Sequence, residues 1–147
     1  MIGGVYLTAY IGLRICGTGL DLNEITQKLG VVPAHSYKQG DTYDNKYTKS
    51  KIVYREDCWI ADSEIKIDRD LEQVVGEFFA PYLIQSQYIS GLAKMFSVSV
   101  YLSVYPESMQ YAFLMSEKVI STLHSLGATM EIKVADLREF YEGEYKS

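Results

Sequence analysis

The side chains that could do chemistry are few and scattered. Histidine occurs only at His35 and His124, with no HExxH or HxH spacing to put two imidazoles on one metal. Cys16 and Cys58 stand far apart, with no CxxC and no Cys/His neighbourhood. They read as strand residues, reduced and inert. No GxSxG turn presents a serine nucleophile. Carboxylates are plentiful, and hydrolysis would need two or more of them converging in a cleft with shifted pKa values. Spacing alone places no such pair. The chain therefore reads as a non-enzyme, with no catalytic residue, no metal and no cofactor.

One turn invites a phosphate, Gly17-Thr18-Gly19. A dinucleotide fingerprint needs a third glycine where Leu22 stands, and a Walker loop needs a Lys followed by Ser or Thr. Asp21 would also set a carboxylate where the phosphate belongs. The segment reads as a plain turn.

What remains is recognition chemistry. The net charge is −5, and between Glu56 and Glu77 eight acids face only Lys66 and Arg69. Phosphate binding needs the opposite sign, so nucleic acid is excluded as a partner. A basic protein suits the acidic window, although a solvated acidic face would produce the same count. The stretch Ala34 to Ser50 reads as a long loop in which Tyr37, Tyr43 and Tyr47 alternate with Asp41, Asp44 and Asn45. Tyrosine gives contact area at low entropic cost, as in binding loops; a mobile surface loop has a similar composition. The candidate partner-binding residues are Asp41, Tyr43, Asp44, Tyr47, Asp57, Asp62 and Glu64.

Stepping from these residues to their supports, Val5 to Cys16 alternates with period two and reads as a half-buried strand. Asp21 caps a helix from Leu22 to Leu29, Glu24 completes a capping box, Gly30 supplies the left-handed exit and Pro33 stops the chain. Lys51 to Ile67 reads as strand, interrupted near Glu56-Asp57. Leu71, Val74, Val75, Phe78, Phe79, Tyr82 and Leu83 fall at helical spacing, with Asp68 or Asp70 as cap. Pro81 either kinks that helix or opens another, and Gln85 to Lys94 is helix or turn. Ser97 to Tyr105 alternates again. A helix from about Met109 to Leu126 follows, with Ser108 as cap and Gly127 at its exit, and then a strand Thr129 to Ala135 with Met130, Ile132 and Val134 inward.

Clean alternation argues against a parallel sheet buried on both faces. The expected fold is α+β, a ferredoxin-like two-layer sandwich: a mainly antiparallel sheet, helices on one face, and an extra helix between two strand–helix–strand halves. Residues 1–147 form one domain, with an acidic aromatic tail at 136–147. The other sheet face would gather Tyr6, Thr8, Tyr10, Ser99, Tyr101, Ser103 and Tyr105 if the first and third long strands are neighbours. No run approaches the roughly 20 apolar residues of a membrane span. The start lacks the pattern of a signal peptide, so a cytoplasmic location is expected.

The run Glu24-Ile25-Thr26-Gln27-Lys28-Leu29-Gly30-Val31-Val32-Pro33, then Gly40-Asp41, Trp59, and Leu123-His124-Ser125-Leu126-Gly127-Ala128, resembles the bacterial domain-of-unknown-function family 4279. The likeness covers most of the chain; Lys133 departs from it, standing where an acid is usual. The resemblance carries over no catalytic residue. It implies an association with toxin–immunity loci of the contact-dependent growth inhibition type.

Three functions are weighed. The first is an immunity protein that occludes a cognate basic, nuclease-like toxin. The second is a small-ligand or regulatory domain, with a pocket lined by Trp59 and loop residues. The third is a hydrolase with a carboxylate site. Whether the chain is a monomer or a homodimer is left open.

Overall fold

Alternation along the first strand decides which way the sheet faces. In the computed structural model, which describes residues 7–67, 71–105 and 114–134, strand β1 (Leu7–Gly17) buries Ala9, Ile11, Leu13 and Ile15 completely. Its register sets Ile15 beside Trp59 and Val98, and Leu13 beside Ala61 and Val100, so one face of three strands is continuous and apolar. Those partners belong to β5 (Asp57–Ile67) and β6 (Ser97–Tyr105), which flank β1 antiparallel.

The five-stranded sheet has the order β2-β5-β1-β6-β7, where β2 is His35–Tyr37 and β7 is Thr129–Val134. β3 (Thr42–Asp44) and β4 (Lys51–Val53) make a separate hairpin. The helices are α1 (Leu22–Leu29), α2 (Leu71–Leu83), α3 (Ser86–Ala93) and α4 (Glu117–Leu126). Ile25 and Leu29 of α1, Val75 and Phe79 of α2, Ile89 of α3, and Val119 and Leu126 of α4 enter one apolar cluster with the inward strand residues. The helices thus cover one sheet face, as an α+β sandwich requires.

The sheet is mixed: β6 and β7 are parallel, while the other neighbours are antiparallel. This corrects the expected ferredoxin-like layout. What survives of that plan is the split unit β5–α2–α3–β6, whose strands lie on either side of β1. α4 then carries the chain back so that β7 lies directly beside β6 in the same sense, as a crossover helix allows.

The first helix follows its caps. Asp21 accepts from the Glu24 amide at 3.0 Å, and Gly30 exits at φ 65°. α4 begins later than its periodicity implied: Ser116, not Ser108, caps it, accepting from the Val119 amide. Pro81 lies inside α2, two residues before its end, and α3 resolves the ambiguity of Gln85 to Lys94. The expected caps Asp68, Asp70 and Ser108, the tail 136–147 and Tyr6 lie outside the described residues.

Two expectations change. The stretch Ala34 to Ser50 is not one loop, because it contains β2 and half of the hairpin. Cys16 and Cys58 are not separate thiols, because the register sets them opposite each other with Cα atoms 4.2 Å apart, and a disulfide joins them.

Candidate functional site

The face of the sheet away from the helices is polar and rich in tyrosine. Register places Tyr10 beside Glu64 and Ser103, Gly12 between Asp62 and Tyr101, and Arg14 between Ile60 and Ser99. Tyr10 and Tyr105 meet edge to face, 6.1 Å between centroids. Gly12 is the opening that organises the centre: a Cβ there would fall inside the Tyr101 ring. The ring therefore lies flat across β1, and its Oη donates to Asp62 Oδ2 on the far side at 2.7 Å.

Burial pushes the Tyr101 hydroxyl well above its usual value of 10.0; the accepted hydrogen bond and negative charge of Asp62 add to this, and Arg14 opposes it. The folded value exceeds the unfolded one, so this contribution to stability is complete below about pH 10 and is lost as pH rises through the folded pKa. Gly12→Ala should displace the ring. A spectrophotometric tyrosine titration should then show one phenol returning toward 10.0, at a stability cost of about 1–2 kcal/mol for the lost bond and packing. An unchanged titration would mean that Tyr101 keeps its place without the glycine.

Beside this ring lies Arg14. Its guanidinium carbon is 5.7 Å from the Tyr101 centroid, Nη2 donates to Glu131 Oε2 at 3.1 Å, and Nε donates to Ser99 Oγ at 3.4 Å. Arg14 and Glu131 are 39% and 64% exposed, so the pair positions the arginine more than it stabilises the fold. A shallow depression of about 240 Å³ opens here, lined by Arg14, Tyr101, Glu131 and Lys133, with His35 of the edge strand. Sequence reasoning missed the Arg14–Glu131 pair. Period two puts Arg14 on this face, but no local signal points to Glu131 across 117 residues.

At one side of the face stands the hairpin. Tyr54, just after β4, stacks on Tyr37 of β2 at 3.6 Å and meets Tyr43 of β3 at 4.8 Å. Burial, with Tyr54 and Glu56 nearby, raises the Tyr37 hydroxyl. The stack joins the small sheet to the large one.

The seven candidate contact residues separate into three places. Asp62 and Glu64 share the open sheet face; Glu64 is exposed and Asp62 half-buried. Asp41, Tyr43, Asp44 and Tyr47 belong to the hairpin, Tyr47 at its tip and 94% exposed. The hairpin is less acidic than it reads: from Lys38 to Glu56, Lys38, Lys46, Lys49, Lys51 and Arg55 outnumber the exposed acids Asp41, Asp44 and Glu56.

Asp57 is elsewhere, and this corrects its assignment as a contact residue. It is buried; Oδ2 accepts from the Gly19 and Leu20 amides at 2.9 and 3.0 Å, and Oδ1 accepts from the Gln39 amide at 2.8 Å. The glycine turn, expected to be a plain one, does hold an anion, and the anion is the chain's own carboxylate. It ties the β1–α1 turn to the chain between β2 and β3. The Gln39 amide first, then those of Gly19 and Leu20, hold its pKa below the usual 3.8, against burial, with help from Lys38. A depressed folded pKa gives stability that is present above the unfolded value and lost as pH falls through the folded one. Asp57→Asn sets an amide donor against backbone donors. It should lower the melting temperature at pH 7 by on the order of 5 °C, with the gap to wild type narrowing as pH falls below about 4. A gap independent of pH would show that charge on Asp57 is irrelevant.

Trp59 does not line a pocket: it is 0% exposed, and its Nε1 donates to Thr26 Oγ1 at 3.0 Å. Among the described residues no group of three or more His, Cys, Asp or Glu could hold a metal ion. Among them also, no helix is long and apolar enough to cross a membrane.

The α+β domain thus covers one sheet face with helices and presents tyrosines and acids on the other. The chain belongs to the family described as a domain of unknown function, DUF4279, whose sequence model matches residues 8–137. No curated protein and no solved structure matches it.

Proposed function

We propose that this chain is a non-enzymatic protein-binding module, an immunity protein that neutralises a cognate basic, nuclease-like bacterial toxin by occlusion. It would act in the cytoplasm of the cell that needs protection. The observation behind this reading is the open sheet face, where Tyr10, Tyr101 and Tyr105 share a surface with Asp62 and Glu64 while the core residues of all four helices pack on the opposite face. Tyrosines supply area at such a surface, and carboxylates steer a basic partner and fix its orientation. Asp62 keeps a geometric role as well, since it holds Tyr101 in place.

The test is capture of the products of neighbouring genes by the tagged chain in its own host, followed by growth assays. A basic toxin should co-purify in fixed ratio and lose its toxicity, and Tyr10→Ala with Glu64→Gln should restore the toxicity. A chain that protects equally well with both substitutions would have another docking face. A chain that protects against no neighbouring product would not be an immunity protein.

A further inference from the structure

Among the described residues β2 and β3 each pair on one side only: β2 is the edge of the large sheet, and β3 pairs with β4 alone. The free side of β3 can be assigned atom by atom. Asn45 N–H donates to Ser50 O at 2.9 Å, and Tyr54 N–H donates to Asp41 O at 2.8 Å. Bonded and non-bonded pairs alternate along an antiparallel ladder. With Tyr43 opposite Ile52, that pair is the bonded one between them. The backbone N–H and C=O groups of Thr42 and Asp44 therefore point away from β4.

Thr42 borders a cleft of about 720 Å³, lined by His35, Ser36 and Tyr37 on the β2 side and by Asp41, Thr42 and Tyr43 on the other. Tyr54 also lines it, where it stacks on Tyr37. Asp41 Oδ2 accepts from the Lys38 amide, while Oδ1 has no hydrogen bond among the described residues. The lysines of the hairpin lie outside: among the described residues no lysine or arginine lines the cleft. A strand edge, aromatic faces and one carboxylate are the parts of a strand-addition site that selects a cation.

We propose that this cleft receives an extended segment of a partner protein carrying an arginine. The segment pairs its backbone with the outward edge of β3. Its guanidinium lies on the Tyr43 ring beside the Asp41 carboxylate. The proposal rests on the reading of the chain as a protein-binding module, but it uses a cleft that adjoins the open sheet face at His35 and Ile60.

The test uses the whole chain, labelled with nitrogen-15, and a blocked heptapeptide, Thr-Val-Thr-Arg-Thr-Val-Thr, chosen for strand propensity. Millimolar peptide should shift the amides of His35–Tyr37 and Thr42–Asp44 and slow hydrogen exchange at Thr42 and Asp44. Glutamate in place of the peptide's arginine should weaken binding about tenfold. Thr42→Pro removes one outward donor without touching the hairpin ladder, so it should abolish peptide binding while the hairpin signals stay dispersed. Absence of shifts, shifts centred on Tyr10 and Tyr101, or equal binding of the glutamate peptide would each overturn the proposal. A wild-type chain that protects against no neighbouring product but still binds the peptide at this cleft would separate failure of the immunity reading from failure of this one.

Discussion

Truncation of Trp59 to alanine is expected to cost about 3–5 kcal/mol, a large part of the stability of a domain this size. The indole is fully buried between β5 and α1, and register sets it beside Ile15 in the centre of the core. Removing it leaves a cavity in the core and takes away the donor to Thr26 Oγ1, which keeps only its own bond to Leu22 O. Trp59 is the only tryptophan, so unfolding must be followed by circular dichroism in denaturant rather than by fluorescence. Thr26→Val provides the companion measurement. It removes the acceptor and keeps the shape, and should cost about 1 kcal/mol. A Trp59→Ala protein as stable as wild type would mean that the α1–β5 contact is not part of the core.

Reduction of the Cys16–Cys58 bond is the second large effect. The cross-link closes a loop with sequence separation 42. The chain-entropy relation gives it a stabilisation of roughly 4 kcal/mol, an upper figure for a bond within one strand pair. Melting with and without dithiothreitol should differ by about 10 °C. The difference should vanish in a Cys16→Ala/Cys58→Ala variant, which should melt with the reduced protein. Cys58 adjoins Asp57, so reduction should also speed amide exchange at Gly19, Leu20 and Gln39. Equal melting in both conditions would show that the cross-link does not contribute to the fold in solution.

Local signals carried a good part of this structure. Helix α1 runs between the residues that its chemistry names, because Asp21 and Gly30 act within a few residues of themselves. Strands β1 and β6 were legible from period two, and their pairing does bring Tyr10, Tyr101 and Tyr105 to one face. Three-residue strands such as β2 and β3 have no periodicity to read, so the segment that holds them reads as loop. Strand β7 alternates like the antiparallel pair β1 and β6, yet it runs parallel to β6 and is exposed at Ile132 and Val134; pairing sense is set by the crossover, not by composition. The start of α4 was misplaced because Ser108 and Ser116 both precede helical spacing, and it is Ser116 that caps α4.

The candidate site was less legible than the fold. An acid's sign can be read from sequence, but its neighbours cannot. Asp57 binds three amides contributed by two distant turns, whereas Asp62 and Glu64, a few residues on along the same strand, face outward. The cysteines pair through sheet register alone. Tyr54, which holds the hairpin to the sheet, carried no pattern of its own.

Docking on the open face is tested by the association rate of the chain with the partner that it captures, as a function of salt. Wild type, Glu64→Gln and Asp62→Asn would be compared. If Asp62 and Glu64 on the tyrosine face dock a basic partner, the wild-type rate should fall about tenfold or more between low and high salt. Each substitution should flatten that slope. A rate that does not change with salt, or a slope unaffected by either substitution, would contradict docking on this face.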